Sequence, residues 1–260
     1  MDFRKIFNDR VSPVEFDRWR TRYCDQCFDD IIAYASLDTD KEVLEIGPGT
    51  GQATEPVLKT GCSYLGIELG EKFTEAMRTR FGSYPRFRIV NADFETYDFG
   101  EQRFDLVYSA ATIQWIPEDI AFPKIYDLLN DNGALAMMFT QSDLRSPNEV
   151  LSAQIDEVYQ QYFHPATEYT CSMAYTDVEN YGFTDVECRH YPHVRELTAD
   201  DFISWTMIQA PHLTLHEPDK SRFITGLKEA IENNGGVVSI LDDIVVYLAR
   251  KHTCAEFKEE

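Results

Sequence analysis

Three glycines at alternate positions follow a short, mostly apolar segment of the chain. Residues 45–51 read Glu-Ile-Gly-Pro-Gly-Thr-Gly, so Gly47, Gly49 and Gly51 come directly after the segment 42–46. Glycine permits positive φ angles and lets a ligand approach the backbone closely. In an open α/β sheet, a loop between a strand and the following helix is a common ligand-binding position. We therefore predict that the three glycines contact a bound small molecule.

A dinucleotide site is the obvious alternative, because it also places glycines after the first strand. Its pattern requires a third small residue three positions after the second glycine. Counting from Gly47 and Gly49 gives Gln52, and counting from Gly49 and Gly51 gives Thr54. Neither residue fits the pattern, so the sequence disfavours a dinucleotide.

Acidic residues stand beside the glycine loop and after the next two apolar segments. Glu45 precedes the glycines, Glu68 ends the segment 64–68, and Asp93 follows the segment 87–90 with Phe94 next to it. An isolated acid at a strand end is more often solvated than functional. Because the carboxyl ends of parallel strands meet at one edge of a sheet, these acids together favour a ligand-binding role.

Short apolar segments alternate with helical patterns along most of the chain. Strands are predicted at 42–46, 64–68, 87–90, 104–109, 134–139, 183–191 and 244–249, and helices at 13–37, 52–60, 72–81, 120–129, 199–208 and 221–233. This alternation is typical of a parallel sheet with helices on both faces. The expected fold is α/β, with a doubly wound, mostly parallel seven-stranded sheet.

Three segments are left over once the sheet and its helices are assigned. They are residues 1–37, 141–181 and 198–236, which are rich in aromatic residues. We predict that they form a helical cap that covers a substrate, as insertions within a single domain spanning residues 1–260. Small-molecule pockets are mostly apolar, which suits aromatic linings.

The glycine loop and the acids together resemble the signature of class I S-adenosylmethionine-dependent methyltransferases, which have a Rossmann-like fold. The resemblance implies S-adenosylmethionine as the cofactor, bound by the loop with Glu45. It also implies that Glu68 binds the ribose hydroxyls, that Asp93 meets the adenine amino group beside Phe94, and that Ser109 lies along the methionine portion. The likeness covers residues 40–140.

The run 109–116, Ser-Ala-Ala-Thr-Ile-Gln-Trp-Ile, resembles the small-molecule branch of this family that includes trans-aconitate methyltransferase. That branch often carries His where this chain has Gln114. The resemblance implies a small-molecule acceptor, and we expect Gln114, Trp115, Trp19 and Tyr23 to contact it.

The expected function is methyl transfer to a small molecule, of which a carboxylate is one candidate. A carboxylate acceptor needs no general base, whereas a phenol, amine or carbon acceptor calls for one. The sequence does not choose among His164, His190, His193 and a tyrosine of the pocket, so no catalytic residue is assigned. The alternatives are an aminopropyl transferase, a nucleotide-dependent oxidoreductase, and a non-catalytic module that binds S-adenosylmethionine or S-adenosylhomocysteine.

The formal net charge is −21, from 24 basic and 45 acidic residues. Nucleic-acid binding draws on clustered Lys and Arg, so neither nucleic acids nor anionic membranes are expected partners. No apolar stretch approaches the roughly 20 residues of a membrane span. The N-terminus also lacks the apolar core of a signal peptide. These features predict a cytoplasmic protein and leave its oligomeric state open.

Cysteine and histidine spacing does not predict a metal site. The six cysteines, at positions 24, 27, 62, 171, 188 and 254, are expected to be reduced thiols. Cys24 and Cys27 share a helical face, but a metal site of that kind needs a second ligand pair. His190 and His193 fall at an odd offset on a predicted strand and should point to opposite faces.

Overall fold

The computed structural model describes residues 3–143, 148–166 and 173–252, with the backbone alone described for residues 3, 5 and 6. The α-helices are α1 (Phe3–Arg10), α2 (Pro13–Trp19), α3 (Asp25–Ala35), α4 (Thr54–Leu58), α5 (Glu71–Phe81), α6 (Glu118–Leu128), α7 (Glu149–Tyr162), α8 (Ala199–Met207) and α9 (Asp219–Asn233). The strands are β1 (Glu42–Ile46), β2 (Ser63–Glu68), β3 (Phe87–Asn91), β4 (Phe104–Ala110), β5 (Leu129–Asp143), β6 (Phe183–Thr198) and β7 (Val237–Lys251). Short 3-10 helices cover Ile113–Trp115, Tyr175–Tyr181 and Ala210–Thr214.

The strands form one seven-stranded sheet in the order β3-β2-β1-β4-β5-β7-β6. The neighbouring pairs from β3 to β5 are parallel, and the sheet as a whole is mixed but mostly parallel. The predicted doubly wound α/β sheet of seven strands is therefore confirmed. β2 and β3 lie on one side of β1, and the later strands lie on its other side, beginning with β4. The point between β1 and β4 is therefore a switch point, where an open sheet binds ligands.

Side chains of the central strands alternate between two apolar layers, one on each face of the sheet. In β1, Val43 packs with side chains of α3 and α4, while Leu44 packs with side chains of α6. Strands covered on both faces read as nearly continuous apolar runs. Glu45 interrupts the apolar run of β1, because it is a charged residue whose side chain is nevertheless fully buried.

The chain divides into two compact units. The sheet unit comprises residues 22–140, 171–191 and 244–260, and the helical unit comprises residues 1–21, 141–170 and 192–243. In the helical unit, α7, α8 and α9 surround a core that includes Phe202, Phe223 and Leu227.

The three segments expected to form a cap fall largely within the helical unit. The exceptions are residues 22–37 and 173–181, which belong to the sheet unit. Residues 1–2, 144–147 and 167–172 of these segments lie outside the described residues. The covering role of the segments stays a prediction.

The single helix predicted over 13–37 is wrong. The structure divides it into α2 and α3, separated by residues 20–24. Ser12 caps α2 by accepting a hydrogen bond from the Glu15 N–H at 3.1 Å, and Arg20 then takes an extended conformation (φ −63°, ψ 134°). Phe16, Trp19, Tyr23 and Cys27 keep a helical spacing in the sequence across this break. Apolar spacing alone therefore did not reveal that the helix is interrupted.

Several other elements differ in length from their predictions. The helix expected over 52–60 is the shorter α4, which begins only after Gly51 has turned the chain with a φ of +86°. The strands β5, β6 and β7 are all longer than expected. Each continues into residues of the helical unit, and β5 also begins earlier than predicted, at Leu129.

Candidate cofactor-binding site

The glycine loop connects β1 to α4 and has an unusual backbone. Gly47, Gly49 and Gly51 all have positive φ angles, of 66°, 60° and 86°. A Cβ atom placed on Gly47 would lie 2.2 Å from the Thr112 methyl group, so no other residue fits there without movement. The Gly47 N–H also donates to the Ile67 carbonyl at 2.9 Å, which fixes the start of the loop against β2.

Side chains at the end of β4 and just after it tie the loop to this neighbouring strand. The Thr112 hydroxyl donates to the Gly47 carbonyl and the Ser109 hydroxyl donates to the Ile46 carbonyl, both at 3.0 Å. Ser109 is fully buried, so its hydroxyl serves the junction of β1 and β4. Its expected place beside the methionine portion remains a prediction.

Glu68, at the end of β2, bridges the glycine loop and the turn that follows β2. Its Oε2 accepts the Gly49 N–H at 2.9 Å and its Oε1 accepts the Gly70 N–H at 2.8 Å. Burial raises the pKa of Glu68 to about 7, although the two backbone hydrogen bonds oppose this shift. The charge of Glu68 therefore changes close to neutral pH.

Glu45 is buried on the face of the sheet that packs against α3 and α4. Its Oε2 accepts hydrogen bonds from three hydroxyls, those of Thr54 (2.6 Å), Tyr64 (2.5 Å) and Tyr108 (2.7 Å). Burial raises the pKa of Glu45, and these hydrogen bonds oppose the shift. Its Oε1 is buried and has no hydrogen-bond partner among the described residues.

The hydroxyls around Glu45 were not predicted from the sequence, and the sheet register explains why they meet there. Tyr108 of β4 is the direct partner of Glu45 in the parallel pairing of β1 with β4. Tyr64 of β2 lies two residues before Gly66, which pairs with Glu45. A Cβ on Gly66 would lie 3.1 Å from the Tyr64 hydroxyl, so the glycine leaves room for this ring.

Asp93 and Phe94 lie in the loop after β3. The Asp93 Oδ1 accepts the Glu95 N–H at 3.0 Å, and Phe94 is buried. Lys124 of α6, a residue that the sequence analysis missed, supports this loop. Its Nζ donates to the carbonyls of Glu95 (3.2 Å) and Tyr97 (2.7 Å) and lies 5.2 Å from the centre of the Phe94 ring. The loop is therefore held from one side by a charged side chain.

The four residues expected to contact the acceptor occupy different elements. Gln114 and Trp115 form part of the 3-10 turn after β4, and the Gln114 Oε1 is buried without a partner among the described residues. Tyr23 belongs to the sheet unit and packs edge-on against Phe28. Trp19 belongs to the helical unit and donates through its Nε1 to Glu15 at 3.2 Å. Gln114 and Trp115 follow Thr112, whose hydroxyl bonds to the glycine loop, and the acceptor role of all four residues stays a prediction.

The cysteines that the structure describes, Cys24, Cys27, Cys62 and Cys188, are free thiols. The cysteines at positions 171 and 254 lie outside the described residues. Within the described ranges, no group of three or more His, Cys, Asp or Glu side chains is arranged to hold a metal ion. No helix in those ranges has both the length and the apolar character needed to cross a bilayer.

Comparison with known proteins agrees with this geometry. Residues 43–133 match a family model described as a methyltransferase domain. The chain is 25% identical over 224 residues to trans-aconitate 2-methyltransferase from Enterobacter sp. (strain 638), which covers 80% of this chain and 86% of that protein.

Other relatives match over less of their length or at lower identity. Ribosomal RNA small subunit methyltransferase A from Hahella chejuensis is 34% identical over 111 residues, 43% of this chain and 40% of that protein. The chain thus spans about two-fifths of that relative. The structure of phosphoethanolamine N-methyltransferase 2 from Haemonchus contortus, with phosphomonomethylethanolamine and S-adenosylhomocysteine bound, superposes with a TM-score of 0.58 at 17% identity. This superposition covers 97% of this chain and 61% of the Haemonchus contortus chain.

The sheet, the glycine loop and these matches support the predicted resemblance to class I S-adenosylmethionine-dependent methyltransferases. The same matches support S-adenosylmethionine as the cofactor.

Proposed function

We propose that the chain transfers a methyl group from S-adenosylmethionine to a small-molecule acceptor. The observation that carries this proposal is the pair of buried carboxylates, Glu45 and Glu68, at the ends of adjacent strands beside the glycine loop. The cofactor carries a sulfonium and an ammonium group, so buried negative charge suits it. The orphan Oε1 of Glu45 supports the same assignment, because a buried carboxylate oxygen without a partner is costly.

The residues of the loop have separate roles in this proposal. Gly47, Gly49 and Gly51 give the methionine portion direct access to the backbone, and Glu68 accepts hydrogen bonds from the ribose hydroxyls. Asp93 and Phe94 bind the adenine through its amino group and its ring. When bound, S-adenosylmethionine supplies an activated methyl group, so the protein mainly needs to align the acceptor and exclude water.

Two observations favour a small-molecule acceptor over RNA. The relative that matches along most of this chain is named for trans-aconitate, a small carboxylate, whereas the match to the ribosomal RNA enzyme covers 43% of the chain. The net charge of −21 also opposes contact with a phosphate backbone.

The orphan Oε1 of Gln114 offers a hydrogen-bond acceptor to a substrate N–H or O–H.

The test is methyl transfer from labelled S-adenosylmethionine to a panel of small carboxylic acids, amines and phenols, with ribosomal RNA as a further substrate. We expect labelled product from at least one small molecule and none from RNA. Donor binding without turnover on any substrate would instead support a non-catalytic binding module. Transfer from decarboxylated S-adenosylmethionine alone would support an aminopropyl transferase.

The affinity for the cofactor should depend on pH in a defined direction. Because the pKa of Glu68 is about 7 in the cofactor-free protein, the carboxyl is mostly protonated below that pH and accepts fewer hydrogen bonds. If only the ionised form binds ribose well, affinity should rise roughly tenfold between about pH 6 and about pH 8. Calorimetric titration of the wild type and Glu68→Gln checks this, since the variant should show little change over the same range.

Replacing Trp115 with alanine should impair methyl transfer more than donor binding. Trp115 closes the 3-10 turn after β4, where its N–H donates to the Thr112 carbonyl at 2.9 Å. Loss of a ring that positions the acceptor should lower kcat/KM by on the order of tenfold or more, because orientation supplies much of the rate. Donor affinity should stay within a few-fold.

The matched control is Trp115→Phe, which keeps an aromatic ring and should restore most of the activity. Equal losses of donor affinity and turnover in Trp115→Ala would place the ring in the cofactor site instead.

A further inference from the structure

The helical unit contains a buried charged cluster outside the residues that the proposed function assigns to the cofactor and the acceptor. It is built on Asp242 of β7, whose side chain is completely buried. Its Oδ1 accepts the Ser142 hydroxyl at 2.5 Å, and its Oδ2 accepts the Arg195 Nε–H. The His193 Nε2 lies 3.7 Å from the same Oδ2. All four residues belong to the helical unit.

Arg195 is held in a fixed orientation by two contacts. The hydrogen bond to Asp242 anchors its Nε, and its guanidinium lies 4.5 Å from the centre of the Trp205 ring. An arginine anchored at one edge and stacked on an aromatic face loses little further freedom when it binds a ligand. Its Nη2 is buried and has no hydrogen-bond partner among the described residues.

His193 presents a second unpartnered nitrogen at the same place. It lies two residues before Arg195 on β6, so the two side chains share one face of the strand. Both approach the same carboxylate oxygen of Asp242. The His193 Nδ1 is buried and lacks a partner in the described part of the chain.

We propose that Arg195 and His193 form a binding site for an oxyanion, a carboxylate or phosphate group of a small ligand. Leaving a buried guanidinium N–H without an acceptor costs more than an ordinary missing hydrogen bond, because the group is charged. Asp242 neutralises one charge of the cluster but satisfies Arg195 only through Nε. The remaining Nη2 edge, with its fixed planar geometry, matches the oxygens of a carboxylate or phosphate.

The site is tested by direct binding, separately from methyl transfer. The probes are succinate and inorganic phosphate, with succinamide as a neutral analogue, measured by calorimetry and by tryptophan fluorescence. Because Trp205 stacks on Arg195, the fluorescence change should vanish in Trp205→Phe while calorimetric binding persists. We expect succinate or phosphate to bind and succinamide not to bind, and the tighter of the two anions identifies the group.

Variants distinguish a built site from general charge attraction. Arg195→Lys keeps a cation beside Asp242 but removes Nη2, so affinity should fall at least about tenfold. Arg222→Met is the matched control, because Arg222 is an exposed arginine of the helical unit paired with Asp219 at 3.6 Å. Its anion affinity should equal that of the wild type.

Arg195→Met with Asp242→Asn removes both charges together, so the fold does not have to tolerate an unpaired buried carboxylate. This double variant should also lose anion binding. Unchanged affinity in Arg195→Lys, or no anion binding by the wild type at millimolar concentration, would overturn the proposal. Binding of S-adenosylmethionine should be the same in all these variants, so a failure of the oxyanion site is separable from a failure of the proposed methyl transfer.

Discussion

Replacing Gly49 with valine should abolish detectable binding of S-adenosylmethionine while leaving the protein folded. Gly49 has a φ of +60°, and its N–H donates to the Glu68 carboxylate at 2.9 Å. A branched side chain at this φ is strained, which should shift the loop and disturb that hydrogen bond. In the proposed complex, the new methyl groups would also occupy the space of the methionine portion. Both effects act on the cofactor directly, so the expected loss is complete.

The matched control for this substitution is Gly100→Val. Gly100 also has a left-handed backbone, with a φ of +57°, but a Cβ at that position would meet no atom within 4 Å. Both variants should lose roughly 1–2 kcal/mol of stability from backbone strain alone. Calorimetry should show normal donor affinity in Gly100→Val and none in Gly49→Val, with intact circular dichroism for both. Cofactor binding by a folded Gly49→Val protein would contradict the proposed place of the methionine portion.

The sequence predicted the sheet and the position of the glycine loop because both depend on local patterns. The strands β1 to β4 are short, mostly apolar runs, and each was predicted to within one residue at either end. The glycine loop was predicted for a similar reason. Positions 47, 49 and 51 have positive φ angles, which glycine adopts more readily than other residues. Strand order then places the loop at the switch point.

The interactions that the sequence did not predict depend on pairing between distant elements. Tyr64 and Tyr108 read as ordinary apolar strand residues, and only the register of β1 with its two neighbours brings their hydroxyls to Glu45. The same holds for Asp242 and Arg195, which are 47 positions apart and meet across two long strands. Local spacing shows which face a side chain takes, but it does not show which residue lies opposite.

Glu68→Ala is expected to weaken cofactor binding by roughly 1.5–3 kcal/mol, the usual range for hydrogen bonds that involve a charged group. The proposed reason is the loss of the acceptor for the ribose hydroxyls, so an analogue that lacks those hydroxyls should lose much less affinity. Glu75→Ala serves as the control, because that glutamate lies on α5 with a side chain that is 62% exposed.

Stability measurements on the cofactor-free protein separate this role from a structural one. The pKa of Glu68 is raised to about 7 by burial, so its ionisation opposes folding. The stability that protonated Glu68 contributes is fully present below its unfolded pKa of about 4.3 and is lost as pH rises through about 7. The cofactor-free protein should therefore lose stability as pH rises from about 4.3 to about 7, whereas cofactor affinity should rise between about pH 6 and about pH 8, and Glu68→Gln should reduce both trends. Equal affinity losses for the cofactor and the hydroxyl-free analogue in Glu68→Ala would mean that Glu68 only braces the loop through Gly49 and Gly70.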